Sequence, residues 1–250
     1  MNVKEGAAIS MKISWLHLVL AVGLLPVAGC GREDAARKDA APVPLAFRAI
    51  ESTDIGMPRP RPGDWEATIL EPPVAGGTAY AYTVASDPGV VYGAVALEGQ
   101  ELAYGIGPFG DAPRAPDPEL LSIKEITLVG KPVVRFKGVY GANAPVTVYV
   151  EIEDGSATEL LRVATGHATE IDLDGDGAEE IVSEHGTPSS AHLYRWDGER
   201  YQVADLNEAL GAESVRYVTE TGRFEAGSVS AGKAREYRYA PEGLLPVSSK

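Results

Sequence analysis

Acidic side chains alternate with small or apolar residues between Asp172 and Glu180. Carboxylates at every second position, with glycines between them, allow a tight loop to direct several oxygens at one centre. A hard cation such as Ca²⁺ takes about six to eight oxygen ligands, whereas Mg²⁺ demands stricter geometry and gives up its waters reluctantly. The spacing therefore predicts a Ca²⁺ site whose ligands are the side chains of Asp172, Asp174, Asp176 and Glu180 and the backbone carbonyl of Ala178. The alternative is an acidic hairpin turn that holds no ion.

The residues around this loop distinguish it from an EF-hand. An EF-hand needs an acidic residue at the twelfth loop position, which is Ser183 here, and amphipathic helices on both sides. Instead, Ile171, Ile181 and Val182 are β-branched and favour strands. The loop resembles the FG-GAP/VCBS class of repeat, in which Asp-x-Asp-x-Asp-Gly-x-x-Asp/Glu precedes an aliphatic residue. The residues that match are Asp172, Asp174, Asp176, Gly177, Glu180 and Ile181.

The resemblance to FG-GAP/VCBS repeats covers only residues 166–205 or so. It implies calcium binding and a strand pair like that of a β-propeller blade, for which Tyr194–Gly198 supplies a matching hairpin segment. Only one copy of the ion motif is present. The sequence therefore does not predict a propeller with an ion in every blade.

The elements that must position this loop are predicted to be strands. Short runs rich in apolar and β-branched residues, separated by Gly, Pro and Asp, follow one another through residues 64–250, as expected for an antiparallel meander. The Asp-Gly pairs at Asp154 and Asp197 predict hairpins like those of a propeller blade. One short helix is predicted from Leu206 to Leu210, capped by Asp205 and ended by Gly211.

The fold class predicted from this pattern is mostly β. A proline-rich stretch at residues 107–119 is predicted to be a loop, and it could divide the domain at 64–250 into two β subdomains.

The N-terminal residues have the pattern of a cleavable secretory signal. Lys12 precedes an apolar run that begins at Ile13 and ends in Val27-Ala28-Gly29-Cys30, which is the order required of a secretory segment. This arrangement resembles the signal of bacterial lipoproteins. The resemblance implies that residues 1–29 are a signal peptide and that Cys30 carries a diacylglyceryl thioether and an amide-linked acyl chain of the palmitate type. Two or more acyl chains give a stable anchor, so an extracytoplasmic position on a bacterial membrane is expected.

Residues 30–63 are rich in Ala, Pro and charge, and they are predicted to form the anchor and an extended tether, with a first strand within Leu45–Ile50. The formal net charge of the whole chain is −14. Nucleic acid is not an expected partner, because binding by counterion release needs a basic face. Anionic headgroups are disfavoured for the same reason, so attachment to the membrane should come from the lipid.

Other side chains that could do chemistry show no catalytic spacing. His167, His185 and His192 lie near the acidic loop in sequence but lack the His-Glu-x-x-His arrangement of a zinc enzyme. The tyrosines at 80, 82 and 92 alternate along their strands, as core residues or cross-strand pairs do.

These features favour a non-enzymatic, calcium-stabilised domain that serves as a binding or envelope-structural module. Its partner would be an envelope protein or polysaccharide of unknown identity. The alternative is a hydrolase of cell-envelope or extracellular polymers that uses carboxylates outside the loop. A solute-binding lipoprotein is disfavoured, because the alternating β and α segments of α/β lobes are missing.

The lipid anchor can be tested with Cys30→Ser. The variant should fold but move from the membrane fraction to the soluble fraction, or stall in processing, because the acidic surface offers no other attachment. Cell fractionation with immunoblotting measures the distribution. Membrane retention equal to that of the wild type would contradict the lipobox prediction.

Overall fold

A computed structural model describes residues 41–50, 60–115, 117–228 and 234–248. Strands dominate these residues and every pairing between strands is antiparallel, so the prediction of a mostly β fold is confirmed. The predicted signal peptide, Cys30 and most of the predicted tether lie outside the described ranges. No helix in those ranges has the length and apolar character needed to cross a bilayer.

The first half of the fold contains ten strands. They are β1 (Arg48–Ala49), β2 (Ala67–Leu70), β3 (Pro73–Val74), β4 (Gly77–Val84), β5 (Asp87–Leu97), β6 (Tyr104–Asp111), β7 (Ser122–Leu128), β8 (Lys131–Tyr140), β9 (Ala144–Glu153) and β10 (Ser156–Val163). The second half adds eight strands and one helix. They are β11 (His167–Ile171), β12 (Glu180–His185), β13 (Ser190–Trp196), β14 (Tyr201–Asp205), α1 (Leu206–Leu210), β15 (Ser214–Val218), β16 (Arg223–Gly227), β17 (Arg235–Ala240) and β18 (Gly243–Val247).

Consecutive strands form four sheets, which we number in chain order. The first sheet has the order β2-β4-β5-β6, with β3 also paired to β4, and the second has the order β7-β8-β9-β10. The third sheet runs β11-β12-β13-β14 and takes β1 at its β14 edge, while the fourth runs β15-β16-β17-β18. Each sheet is therefore a local meander, as the alternation of strand and turn signals predicts.

The two predicted Asp-Gly hairpins differ in loop length. Asp154 (φ 51°) and Gly155 (φ 72°) are the only residues between β9 and β10, and their positive φ angles match the twist of a two-residue hairpin. The β13–β14 loop has four residues instead of two, because the Asp197 carboxylate accepts hydrogen bonds from the backbone N–H groups of Glu199 and Arg200, both at 2.9 Å.

The predicted helix is confirmed at both ends. Asp205 is the N-cap and accepts a 3.0 Å hydrogen bond from the backbone N–H of Glu208. Gly211 ends the helix in the left-handed region, with φ 57°. These caps satisfy backbone groups that the helix itself leaves free.

Part of the predicted loop at 107–119 is a strand, because β6 continues to Asp111. Pro108 is accommodated because β6 is an edge strand of the first sheet, where a missing N–H donor can be tolerated. The register between β5 and β6 shifts between Val91 and Tyr92 and again between Gly93 and Ala94, so Pro108 lies in an irregular part of the ladder.

Apolar side chains form three large cores, each between two sheets that follow one another in the chain. Representative members are Val91, Phe109 and Phe136 between the first and second sheets, Tyr149, Leu161 and Ile181 between the second and third, and Leu193, Leu206 and Phe224 between the third and fourth. The first core therefore receives side chains from both sides of the 107–119 segment.

The segment that enters the first strand belongs to the folded part of the chain. Val43 pairs with Leu244 in an isolated bridge, and Val43, Leu45 and Phe47 pack against the core between the third and fourth sheets. The tether predicted to extend to residue 63 therefore includes a segment that packs on the domain. Its apolar side chains explain the difference, because burial against an existing core offsets the entropy of ordering the chain.

The first and second sheets approach closely where two glycines face the opposite backbone. A Cβ atom added at Gly138 on β8 would overlap the carbonyl of Phe109 on β6. A Cβ at Gly110 would lie only 2.9 Å from the backbone nitrogen of Val139. Backbone atoms cannot move aside as a flexible side chain can, so these glycines are required for the sheets to meet.

Gly138→Ala is therefore expected to lower the free energy of unfolding by about 1 to 3 kcal/mol or more, as overpacking does. Gly89→Ala is the matched control on β5, because nothing lies within 4 Å of its added Cβ. That control should change stability by no more than about 0.5 kcal/mol. Urea denaturation followed by circular dichroism measures both variants, and equal stabilities would contradict the close approach of the two sheets.

Candidate metal centre

The acidic loop joins β11 to β12 at one end of the third sheet. β11 ends at Ile171 and β12 begins at Glu180, and residues 172–179 connect them. Gly175 (φ 81°) and Gly177 (φ 89°) adopt conformations that side chains with a Cβ rarely enter, which lets the chain turn tightly between the carboxylates.

Three of the predicted ligands are close together. Asp172, Asp174 and Asp176 each place a carboxylate oxygen within 4.8 Å of the other two. The loop backbone holds Asp172 in place, because Gly175 N–H donates to its Oδ1 at 2.7 Å and Gly177 N–H donates to its Oδ2 at 3.1 Å. Backbone N–H groups of the loop therefore hold the Asp172 carboxylate close to those of Asp174 and Asp176.

The other two aspartates also accept hydrogen bonds from the loop. Asp174 Oδ1 accepts from the backbone N–H of Asp176 at 3.2 Å, and Asp176 Oδ1 accepts from the N–H of Ala178 at 2.7 Å. Each of these two carboxylates uses one oxygen in these bonds, and the other oxygen takes no hydrogen bond from a described residue. Ala178, the predicted carbonyl ligand, is half-buried and lies in the same loop.

Glu180 is placed differently from the three aspartates. Its side chain is buried, it is not one of the three mutually close carboxylates, and its Oε2 accepts a 3.0 Å hydrogen bond from the backbone N–H of Leu173. Burial raises its pKa to about 7, the charges of Asp174 and Asp176 add to the increase, and the Leu173 N–H opposes it. The structure thus brings three of the five predicted ligands together and places Glu180 next to them under the loop.

No basic side chain of the described residues forms an ion pair with the cluster. All ion pairs among the described residues involve other carboxylates. Two like charges about 4 Å apart repel by about 1 kcal/mol in water and about 4 kcal/mol at the effective dielectric of a protein surface. The three carboxylates, with oxygens within 4.8 Å of one another, repel on a similar scale, and a bound cation would remove that repulsion.

The loop is fixed on two sides of the sheet. Leu173 packs against the core between the third and fourth sheets. On the opposite side, Glu179 Oε2 accepts a 3.1 Å hydrogen bond from the backbone N–H of Val129, which lies in the turn between β7 and β8. Sequence reasoning missed this role of Glu179, because nothing local indicates a partner 50 residues away.

The histidines lie away from the acidic loop. His185 ends β12, roughly 17 Å from Glu180 at about 3.4 Å per strand residue. His192 lies on β13 opposite Ser183, and the two imidazole centroids are 6.3 Å apart. His167 is exposed, and its Nε2 lies 2.9 Å from Asn143 Oδ1. The three histidines therefore do not contribute to the acidic cluster.

Ser183, which occupies the position of the missing EF-hand ligand, has a structural contact. Its side chain is fully buried, and its hydroxyl lies 2.6 Å from Thr165 Oγ1, which is also 2.6 Å from Tyr194 Oη. The hydroxyl therefore satisfies buried polar groups beneath the sheet.

No protein-family model, curated protein or solved structure matches this chain. The resemblance of residues 166–205 to FG-GAP/VCBS repeats therefore stays a prediction, supported only by the residues that match the motif.

His192 should make stability depend on pH. Burial lowers the pKa of His192 below its usual value, His185 lowers it further and Asp205 opposes the shift. Its Nδ1 is buried with no hydrogen-bond partner among the described residues. Because the unfolded chain takes up the proton at higher pH than the folded chain, stability present above about pH 6.5 should be lost as the pH falls through the lower, folded-state value.

His192→Gln is therefore expected to reduce the loss of unfolding free energy between pH 7 and pH 5. The reduction should be a fraction of the about 1.4 kcal/mol per pH unit that one proton can contribute. Urea denaturation at several pH values measures the slope, with His167→Gln as the control that removes an exposed histidine. Identical slopes in wild type and His192→Gln would contradict this role.

Proposed function

We propose that this protein is a membrane-anchored, extracytoplasmic lipoprotein whose β domain is stabilised by one Ca²⁺ and acts as a binding or envelope-structural module. The observation that carries the proposal is the convergence of Asp172, Asp174 and Asp176 within 4.8 Å, without a basic partner. The lipid on Cys30 would attach the protein to the membrane, and the partner would be an envelope protein or polysaccharide.

The donor set favours Ca²⁺ over other ions. All candidate ligands are carboxylate or carbonyl oxygens, which hard cations prefer, and none is a thiolate or imidazole of the kind that selects zinc or copper. Asp172, Asp174 and Asp176 would hold the ion. Glu180 and the carbonyl of Ala178 are the remaining proposed ligands. Ca²⁺ accepts an irregular shell of oxygen ligands, whereas Mg²⁺ demands a nearly ideal octahedron.

A bound ion would act on a loop that contacts two different parts of the fold. It would neutralise the repulsion between the three aspartates and fix the loop that contacts the third-sheet core through Leu173 and the second sheet through Glu179. The chain has one cysteine, so no disulfide within it can supply this restraint. A single ion would then stabilise the domain without taking part in any reaction.

The proposed location and the proposed ion are mutually consistent. Extracellular modules bind Ca²⁺ with dissociation constants of about 10⁻⁴ to 10⁻³ M, which suits a compartment where calcium is abundant. An exposed acidic loop of this kind would be occupied outside the cell and largely empty inside it. Secretion before binding therefore agrees with the signal proposed at Cys30.

The hydrolase alternative gains no support from the carboxylates of a cavity that lies beside Trp196 and Leu160. This cavity of about 420 Å³ is lined in part by Glu159 and Glu199. Both oxygens of Glu159 accept hydrogen bonds from Arg162, at 3.1 and 2.7 Å, and Glu199 pairs with Arg200 at 3.5 Å. Carboxylates held in this way resemble structural ion pairs more than a poised acid and base.

Calcium should raise the melting temperature of the purified protein. At about ten times its dissociation constant, an ion stabilises the folded state by roughly 1.4 kcal/mol, which corresponds to about 3 to 5 °C for a domain of this size. Mg²⁺ should have a smaller effect. Differential scanning fluorimetry in chelator and in millimolar Ca²⁺ measures the shift.

Asp174→Asn and Asp176→Asn should abolish the calcium shift, because they remove charge while keeping the oxygen that accepts the loop hydrogen bond. Asp197→Asn is the matched control, since Asp197 also caps a turn but lies in the β13–β14 loop. Wild-type melting curves that are identical with chelator and with saturating Ca²⁺ would leave the loop as an ordinary acidic turn.

A further inference from the structure

An aromatic pocket lies on the face of the first sheet that points away from the second sheet. Alternate residues of β4 divide between the two faces, with Ala79 and Ala81 in the core shared with the second sheet and Tyr80 and Tyr82 on the opposite face. The cavity there measures about 420 Å³, within the usual range of small-molecule sites. The lining residues used below are Asp64, Trp65, Tyr82, Ser86, Tyr92 and Pro108.

The aromatic rings form one continuous platform. Tyr82 and Tyr92 are direct cross-strand partners, and their ring centroids are 5.9 Å apart. Trp65, which precedes β2, stacks on Tyr82 with centroids 4.3 Å apart and an interplanar angle of 27°, and it also contacts Tyr80 at 5.1 Å. The cross-strand pairing of the tyrosines agrees with the sequence prediction, but Trp65 turns the pair into the wall of a pocket.

The platform is held rigidly by hydrogen bonds around it. The indole N–H of Trp65 donates to Thr68 Oγ1 at 2.9 Å, so the ring has a fixed orientation. The neighbouring backbone is tied to β4 by a 2.9 Å bond from Glu66 N–H to the Thr83 carbonyl. A preformed site loses little conformational entropy when a ligand binds.

The pocket carries negative potential. The faces of aromatic rings are electron-rich, and burial raises the pKa of Tyr82 to about 12, so its phenol stays neutral. Asp64 lines the cavity, and Asp87 accepts a 3.2 Å hydrogen bond from the Tyr92 hydroxyl. Among the described residues that line the cavity, none is Lys, Arg or His.

Two arginines near the pocket are paired with carboxylates. The carbonyl of Arg61 accepts a hydrogen bond from the Asp64 N–H, and its guanidinium lies 3.8 Å from Glu101. Arg162 donates to the carbonyl of Pro108 at 3.2 Å, but its guanidinium is also bonded to both oxygens of Glu159. Its charge is therefore paired within the protein. The net effect of three aromatic rings and two carboxylates is to attract positive charge.

We infer that this pocket binds a small organic cation, with a quaternary or methylated ammonium group seated against Trp65, Tyr82 and Tyr92 and facing Asp64. Such groups are large, weakly hydrated and apolar at their surface, so they suit an aromatic wall better than a compact, strongly hydrated ammonium does. A neutral sugar would need several directional donors around the ring, and the side chains of the lining offer one hydroxyl, Ser86, besides the phenols. The inference does not depend on calcium, because the acidic loop lies on the third sheet.

Isothermal titration calorimetry of the purified protein in calcium-containing buffer tests the pocket with defined probes. Choline and tetramethylammonium should bind with dissociation constants in the millimolar range. The neutral isostere of choline, 3,3-dimethyl-1-butanol, should bind at least about tenfold more weakly, because it keeps the shape but lacks the charge.

Two variants separate the rings from the carboxylate. Trp65→Leu should weaken choline binding by about tenfold, which is within the range of a desolvated cation–π contact. Asp64→Asn should weaken it by roughly threefold, and it removes only an exposed charge, so folding is not in question. Glu66→Gln, an exposed carboxylate outside the lining residues, and Asp174→Asn in the acidic loop are controls that should leave choline affinity unchanged.

Three results would overturn the inference. Equal affinity for choline and its neutral isostere would mark a merely apolar pocket. Binding of a neutral oligosaccharide that is lost in Trp65→Leu, without choline binding, would mark a sugar site. Absence of choline binding at tens of millimolar would mark a structural aromatic cluster, whatever the outcome of the calcium experiment.

Discussion

Burial of both faces of the second and third sheets is the constraint on which the rest of the structure depends. Along β9, Val148 and Val150 face the first sheet while Tyr149 between them faces the third. A polar group buried in a sheet that is covered on both sides is costly unless it forms a hydrogen bond, so most such groups find partners. Accordingly, the hydroxyl of Tyr149 donates to Glu170 at 2.6 Å, and Arg135 donates to the same carboxylate at 2.8 Å.

Because both faces of these sheets are buried, polar contacts between neighbouring sheets also occur. Arg162, on β10 of the second sheet, reaches the carbonyl of Ile106 on the first sheet at 2.7 Å while it remains paired with the buried Glu159. Glu170 joins the second sheet to the third in the same way. A buried ion pair adds little net stability, but removing one partner leaves an uncompensated charge. These pairs therefore fix how the sheets align more than how strongly they attract each other.

The two candidate sites occupy the places that the packed sheets leave free. The acidic loop lies at the end of the third sheet, where strands turn and carboxylates reach water, while Glu180 beneath it is buried because it begins a strand inside the stack. The aromatic pocket lies on the face of the first sheet that no other sheet of the described residues covers, and Trp65 shields part of it. In both places the stacked sheets position the side chains, and the candidate binding groups lie at the edge of the stack.

Local features of this protein were determined by sequence alone. Strand alternation, the Asp154-Gly155 hairpin, the caps of the short helix and the gathering of Asp172, Asp174 and Asp176 all depend on residues within a few positions of one another. Backbone turn preferences and side-chain periodicity act over that range, so the pattern is readable from the chain.

Other features were decided only by tertiary structure. Several contacts join groups whose pairing no local pattern specifies. They are the close approach that requires glycine at position 138, the contact from Glu179 to Val129, the adjacency of His185 and His192 and the stacking of Trp65 on Tyr82. The strand at Pro108 and the burial of Glu180 likewise depend on which edge or face is exposed. The stacking of the sheets decides which edges and faces are exposed. Burial and close approach therefore depend on the surface that a segment meets and not on the segment itself.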